Sequence, residues 1–552
     1  MAIEDLWYKN AIIYCLSVEK YMDSNGDGVG DFEGLSRRLP YLAGLGITCV
    51  WLQPFYASPF RDNGYDVEDY YSVHSKYGSL GDFVEFMNHA NSLGIRVLVD
   101  LVVNHTSVKH PWFQSAQRGR RSPFHDWYVW SKERPKDHAA GVVFPGVQKT
   151  TWTYDREARQ YYFHRFYPFQ PDLNTSHKAV RDEITKILGF WLSLGVSGFR
   201  MDAVPFLIER KGAGVEHVQD FDLLHELRHF LQWRSGEAIL LAEANVPPDE
   251  SMKYFGEHGD HLQMMLNFPV NQRLFYALAT EDIRPLCWAL EHTAPRPFAA
   301  QWVQFLRSHD ELDLGRLTDE QRERVYEAFG PDKSMQLYGR GIRRRLTPML
   351  GNNRRRLELA FSLLFSLPGT PLMQYGDEIG MGDDLTLPER ECARTPMQWT
   401  AERHGGFSRA RKVISPVIDD DEYGYKQVNV ADQRRDPHSF LNWTERMIRH
   451  RRECPEISWG KFTILPAGVP GVLVLRYDWR NTALLTVHNF AGRRRKVRID
   501  VDRPDGKSLI DVFGERHSQA GPSGVHEIDL EGYGYRWFRV GAADNALNRT
   551  AL

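Results

Sequence analysis

The chain has little of several things that would point its function elsewhere. Among its 552 residues only five are cysteine, at Cys15, Cys49, Cys287, Cys392 and Cys454, an odd number with no CxxC spacing. Such a set supports neither a disulfide framework nor a zinc site, and it points to a reducing, cytoplasmic setting. An excess of charge of one sign is also missing. The 69 basic and 72 acidic residues nearly cancel and are interspersed, so there is no electrostatic footprint for nucleic acid. The basic runs at 118–121, 343–345, 354–356 and 493–495 are isolated, and solvated faces or local acid partners account for them. No apolar stretch reaches membrane-spanning length. The opening MAIEDLWYKN carries acids and a Trp where a secretory signal needs bases followed by an apolar run. Low complexity is confined to a short polar tail after Gly541. The expectation is therefore a soluble cytoplasmic protein with no nucleic-acid or membrane partner.

What is present is a rhythm. The runs IIYCLSV (12–18), ITCVWLQ (47–53) and IRVLVDLV (95–102) are apolar and rich in β-branched residues, and the segments between them have helical spacing and end in Gly. After residues 106–176 the same alternation resumes with GFRMDAV (198–204), AILLAEA (238–244), QMMLNF (263–268), QWVQFL (301–306) and TPLMQY (370–375). Eight strands in βα repeat close a (β/α)8 TIM-type barrel. The interruption is crowded with aromatics, Pro, His and charge, lacks a helical period, and reads as an inserted subdomain or lid with Trp112, Tyr128, Phe166 and Tyr167 as its candidate lid aromatics. Beyond about residue 460, runs such as VLVLRYDWR and YRWFRV between Gly, Asp and Pro turns predict an antiparallel β domain. The expected division is a barrel over 1–105 and 177–459, an insertion over 106–176 and a C-terminal β-sandwich over 460–552.

In such a barrel chemistry gathers where strands end on one face. The polar residues at those ends are His105, Arg200, Asp202, Glu243, His309 and Asp310. Arg200 and Asp202 are two residues apart on one strand and share a face, which sets the guanidinium beside the carboxylate and is expected to keep it ionised. Two carboxyl groups are the minimum for breaking a glycosidic bond: one attacks the anomeric carbon or activates water, and the other protonates the leaving oxygen. A third acid can steady the oxocarbenium-like charge. The loop Asp23-Ser-Asn25-Gly-Asp27-Gly-Val29-Gly-Asp31 sets oxygen donors at alternating positions, the spacing of a calcium loop, with an Asx-rich turn as the other reading.

DLVVNH, GFRMDAV, LLAEAN and RSHDEL resemble the four signature regions of the α-amylase family, glycoside hydrolase family 13, and QPDLN resembles its fifth. The resemblance implies Asp202 as nucleophile, Glu243 as general acid/base and Asp310 as transition-state stabiliser. It also implies that Arg200, His105, His309, Asp62, Tyr65 and Arg394 bind the sugar. Within the family, stretches such as LQPFYASPFRDNGYDVEDY, YYFHRFYPFQPDLN and RTPMQWT are most similar to the trehalose synthases, which interconvert maltose and trehalose. Ser308, the loop VVFPGVQKTTW (142–152) and the region around MMLNFPVNQRLF depart from that subgroup's pattern, and α-glucosidase hydrolysis is the alternative. A non-catalytic transporter subunit of the same fold lacks the acid triad, which this chain keeps. The resemblance further implies a second structural calcium held by Asn104, Asp172, the carbonyls of Phe206 and Leu207, and Glu209, with no organic cofactor and a small sugar such as maltose, trehalose or glucose as ligand. Homo-oligomerisation is left open.

Overall fold

The computed structural model describes residues 3–216, 218–514 and 516–541, so the polar tail after Gly541 lies outside the described residues. Eight short parallel strands close a barrel: Ile13–Leu16, Cys49–Leu52, Arg96–Leu101, Gly198–Met201, Ile239–Ala242, Met264–Leu266, Gln301–Phe305 and Thr370–Gln374. These are the eight strands expected from the sequence, trimmed at their ends. Each pairs with the next in chain order, and the last pairs with the first. Both faces of the sheet are apolar because alternate residues serve two cores. Ile13, Cys15, Trp51, Leu98, Ile239 and Leu241 fill the barrel interior, whereas Tyr14, Leu16, Val50, Leu52, Val97 and Val99 pack outward under the helices.

The helices begin and stop where local chemistry tells them to. Asp31 caps the helix Phe32–Leu45 by accepting the Gly34 N–H, and Gly46 ends it in the left-handed region at φ 93°. A reciprocal Ser79/Asp82 capping box starts Leu80–Ser92. The helix Lys178–Ser193 buries Val180, Ile184, Ile187, Leu188 and Trp191, a stripe at three- and four-residue spacing, and then delivers the chain to the fourth strand. With every strand running the same way, all strand C-termini open on one mouth.

The insertion is more regular than its composition suggests. It holds a short helix, Pro111–Ala116, and a three-stranded antiparallel sheet of Trp130–Ser131, Gln160–Phe163 and Trp152–Asp155. Three consecutive aromatics in Gln160–Phe163 place rings on both faces of the central strand and hide the two-residue period there. At the C-terminus a six-stranded antiparallel sheet includes Val472–Trp479, Thr482–Asn489 and Tyr535–Val540. A separate pair, Arg495–Asp500 with Val525–Leu530, packs on it: Val497, Ile499 and Leu530 share one apolar cluster with Val474, Leu485 and Phe538. No helix among the described residues is long and apolar enough to cross a membrane.

Candidate active site

Strand register places the first charges. Asp100 on the third strand lies directly beside Arg200 on the fourth, and Arg200 beside Leu241 on the fifth. The ladder runs one residue past the strand ends, with Asp202 N–H donating to the Leu101 carbonyl at 3.2 Å and Glu243 N–H to the Met201 carbonyl at 3.0 Å. These bonds fix where both carboxyl groups start. Ala203 then turns the chain in the left-handed region, at φ 48° and ψ 43°. The Arg200 guanidinium, 1% exposed, gathers the result. Its Nη1 donates to Asp100 Oδ1 at 2.7 Å and to Asp202 Oδ1 at 2.5 Å, while Nη2 bonds Glu243 Oε2. One guanidinium thus holds an oxygen of Asp202 and an oxygen of Glu243 through its two terminal nitrogens, which sets the two carboxyl groups side by side.

Sharing one cation among three acids changes their titration. Burial pushes Asp202 up to about 6 even though Arg200 pulls the other way. The expected neighbour is in place, but the guanidinium is divided among three acids, so desolvation outweighs it and the carboxyl is ionised at neutral pH by a narrower margin. Burial pushes Glu243 up to about 8, with Asp202 and Asp310 adding to burial against Arg200. Near neutral pH Asp202 is therefore mainly ionised and Glu243 mainly protonated. Asp310 behaves oppositely. Burial alone would raise it, but His309, Arg390 and Arg394 together hold its carboxyl well below the usual carboxylate range. Burial keeps His309 well below its ordinary value, hence neutral, so the two arginines carry the effect. Arg390 Nη1 reaches Asp310 Oδ1 at 2.7 Å and Arg394 Nη2 reaches it at 3.1 Å.

Asp202, Glu243, Asp310, Asp62, Tyr65, His105, Arg200 and His309 all line one cavity of about 420 Å³, a volume suited to a small ligand. Arg394 does not line it; it stands behind, holding Asp310 and donating from Nε to the His309 carbonyl at 2.8 Å. Tyr65 and His309 stack at 3° between planes, with Tyr65 Oη 2.6 Å from His309 Nε2 and donating to Asp100 Oδ2 at 3.0 Å. A larger cavity of about 540 Å³ lies between Trp443, Arg446 and Tyr535; of its acids Glu531 is paired with Arg516 and Arg536, Glu358 with Arg354, and Asp511 accepts the Phe513 amide.

Of the expected lid aromatics only Phe166 reaches the cavity. Trp112 packs against Tyr70 and Trp127, Tyr128 is buried with its hydroxyl 2.8 Å from that of Thr106, and Tyr167 stacks behind Phe144. The roof is made instead by Phe144, which meets Tyr338 at 4.7 Å and Tyr167 at 4.9 Å and lies under the Arg390 guanidinium at 5.5 Å. Glu389 fastens it by accepting from the hydroxyls of Tyr167 and Tyr338, each at 3.1 Å, and Arg340 Nη1 donates to the Val143 carbonyl at 2.7 Å. Sequence reasoning also missed Asp100, Arg390 and Glu311, although Asp100 stands inside the DLVVNH motif. Glu311 lines the cavity and is pushed up to about 7 by burial, against Arg390.

Residues 15–460 match the family described as alpha amylase, catalytic domain, and residues 482–539 match sucrose hydrolase-like, C-terminal domain. The chain belongs to the α-amylase family. It is 41% identical over 551 residues to a trehalose synthase of Thermus thermophilus, a match covering 99% of this chain and 57% of that longer protein. A trehalose synthase/amylase of Mycobacterium tuberculosis is 40% identical over 544 residues, 97% of this chain and 90% of its own length. Among solved structures, trehalose-6-phosphate hydrolase of Bacillus licheniformis superposes with a TM-score of 0.77, covering 97% of this chain and 100% of that one. At 23% identity, that likeness concerns the fold alone.

The residues of both expected calcium sets are engaged by the chain's own hydrogen-bond donors. In the first loop Asp23 accepts the Gly26 and Gly28 amides at 2.7 and 2.8 Å, Asn25 accepts the Asp27 amide, Asp27 accepts the Val29 amide, and Asp31 caps the following helix. This is a run of Asx turns. The loop's donors are all oxygen, as a hard cation requires, but an ion would have to draw Asp23, Asp27 and Asp31 together. Among the described residues the sole convergent group of three His, Cys, Asp or Glu ligand atoms is His225, Asp260 and His261. The second set does not fit calcium, because Lys211 Nζ sits among its oxygens, 2.7 Å from Asn104 Oδ1 and 2.9 Å from Asp172 Oδ2. The Leu207 carbonyl accepts from Thr175 Oγ1 at 2.8 Å, Glu209 pairs with Arg165 at 2.5 Å, and Phe206 contributes its ring to the cavity wall.

Proposed function

We propose that this chain is a cytoplasmic, retaining α-glucosyl-transferring enzyme that interconverts maltose and trehalose without an organic cofactor. The observation that carries the reading is the Arg200-bridged pair of carboxyls, one mainly ionised and one mainly protonated at neutral pH, on the floor of a roofed cavity. The names of the two relatives, 41% and 40% identical, support it. An intact dyad also sets the chain apart from a binding subunit with no chemistry.

In the first half-reaction an Asp202 oxygen attacks the anomeric carbon of the glucosyl unit, and the C–O bond to the leaving glucose breaks as Glu243 gives that oxygen its proton. Asp310, held ionised by Arg390 and Arg394, opposes the positive charge that builds on the ring. Glu243, now a carboxylate, takes the proton from the anomeric hydroxyl of the retained glucose, whose oxygen attacks the glucosyl ester. That step frees Asp202, restores the Glu243 proton and leaves an α,α-1,1 bond. Water in the place of glucose gives hydrolysis by the same electron movements. The choice is made by the Phe144 roof, backed by Tyr167 and Tyr338, which sequesters the released glucose.

The hydrolytic reading is favoured by one feature, Ser308, which lines the cavity where the subgroup's pattern differs. Product analysis separates the two. Incubation with maltose should give mainly trehalose with minor glucose, and labelled external glucose should enter trehalose slowly; glucose as the dominant early product, with no trehalose, overturns the synthase reading and leaves an α-glucosidase. A calcium ion in the Asp23–Asp31 loop is proposed as structural only. Chelation should then lower Tm and calcium restore it, and an unchanged Tm removes the proposal.

A further inference from the structure

We infer that the Lys211 ammonium is a built-in replacement for a divalent cation, clamping the insertion to the barrel beside the active site. Lys211 lies just beyond the fourth strand's loop, yet its side chain is only 1% exposed. Its Nζ is surrounded by oxygen: Asn104 Oδ1 at 2.7 Å, Asp172 Oδ2 at 2.9 Å, the Leu173 carbonyl at 3.2 Å and the Asn104 carbonyl at 3.3 Å. These are ammonium hydrogen-bond lengths, longer than the roughly 2.3–2.6 Å of calcium to oxygen. Asn104 and Asp172 are fully buried, so the oxygens cannot turn to water if the cation leaves.

The charges balance without metal. Two carboxylates, Asp172 and Glu209, would neutralise one divalent ion; here Lys211 pairs with Asp172 and Arg165 with Glu209. Two monovalent cations, both tethered to the chain, do the electrostatic work of one free ion. The clamp sits where three segments meet: the end of the third strand at Asn104, the insertion at Asp172 and Leu173, and the segment after the fourth strand, which are also joined by the Leu173 N–H to the Asn104 carbonyl, the Thr175 hydroxyl to the Leu207 carbonyl and the Arg165–Glu209 pair. It bears directly on the site, because Asn104 Nδ2 lies 3.3 Å from His105 Nδ1 and His105 Nε2 lies 3.0 Å from the Tyr65 carbonyl, and both His105 and Tyr65 line the cavity. A tethered cation cannot be chelated or diluted away. Its cost is that one side chain must be desolvated, and Asp172 offsets that loss.

The test uses the full chain and calcium itself. Lys211→Ala leaves an oxygen-lined hole with the Asp172 charge unpaired, and in chelator its Tm should fall by roughly 5 °C or more below wild type. Added calcium should recover at least half of that fall. Equilibrium dialysis should count one more calcium per chain than wild type, and adding Asp172→Asn to the variant should abolish the extra ion. The increment separates this site from any calcium in the Asp23–Asp31 loop. Lys211→Met, which fills the hole without charge, should lose stability that calcium does not restore. An equal Tm for Lys211→Ala and wild type in chelator, or no extra calcium bound, overturns the inference. Should Lys211→Ala not fold, wild type decides. Amine-reactive labelling read by mass spectrometry should leave Lys211 unmodified with and without calcium, and labelling that appears only with calcium means an ion displaces the ammonium and refutes it.

Discussion

Arg200→Lys is the most informative single change, because it keeps a positive charge in the barrel mouth and removes only the fork. The guanidinium contacts Asp100 and Asp202 from one nitrogen and Glu243 from the other. A lysine is a compact point charge and replaces about one of those three contacts. Each charge-assisted hydrogen bond is worth about 1.5–3 kcal/mol, so two lost contacts cost about 3–6 kcal/mol. If that loss falls on the transition state, kcat/KM drops by about 10²–10⁴-fold, at about 1.4 kcal/mol per factor of ten. A second readout follows from titration. Arg200 is the main influence opposing burial at Asp202, so weakening it moves the carboxyl further up from about 6 and carries the acid limb of the pH profile to higher pH. The assay is kcat/KM for an aryl α-glucoside across pH 4.5–9, with Tm measured to confirm folding. A variant within tenfold of wild type whose acid limb has not moved would refute the shared-guanidinium account.

Asp202→Asn is nearly isosteric and should cut turnover of maltose and of an aryl α-glucoside by several powers of ten with Tm little changed; near wild-type turnover rejects the nucleophile assignment. In wild type, kcat/KM should be bell-shaped, falling below about 6 as Asp202 gains a proton and above about 8 as Glu243 loses one, and a flat profile between pH 5 and 9 contradicts the split. Phe144→Ala opens the roof to water, so the ratio of glucose to trehalose formed from maltose should rise about threefold or more; an unchanged ratio shows that Phe144 does not gate the intermediate.

The barrel was legible because its strands are short apolar runs bounded by Gly-ended helices, and those two periods survive in one dimension. The acids were legible because strand ends share a face. What failed depended on neighbours remote in sequence. Adjacency of Arg200 and Asp202 was read from their spacing, but the spacing could not show that Asp100 and Glu243 compete for the same guanidinium. Arg390 lies 80 residues beyond Asp310 in a short 3-10 turn, and nothing local marks it as a partner. Aromatic density alone suggests Trp112 and Tyr128 as a lid, yet Tyr128 is buried in the core and Trp112 packs partly buried against it; the roof comes from Phe144, in a loop whose departure from the subgroup's pattern is visible in sequence while its position is not. Lys211 reads as an ordinary surface lysine until its oxygen cage is seen.

The five cysteines, uninformative as a motif, turn the folded chain into its own reporter. Cys15 and Cys49 face the barrel interior, Cys392 lies under the mouth with its thiol 2.6 Å from the Arg343 carbonyl, Cys454 is buried just before the C-terminal sheets, and only half-buried Cys287 sits on an outer helix. A thiol reagent therefore meets one partly exposed cysteine in the native state and four buried ones that answer to different openings. The order in which they become reactive gives a map of which part of the molecule breathes first, with no label introduced and no residue changed.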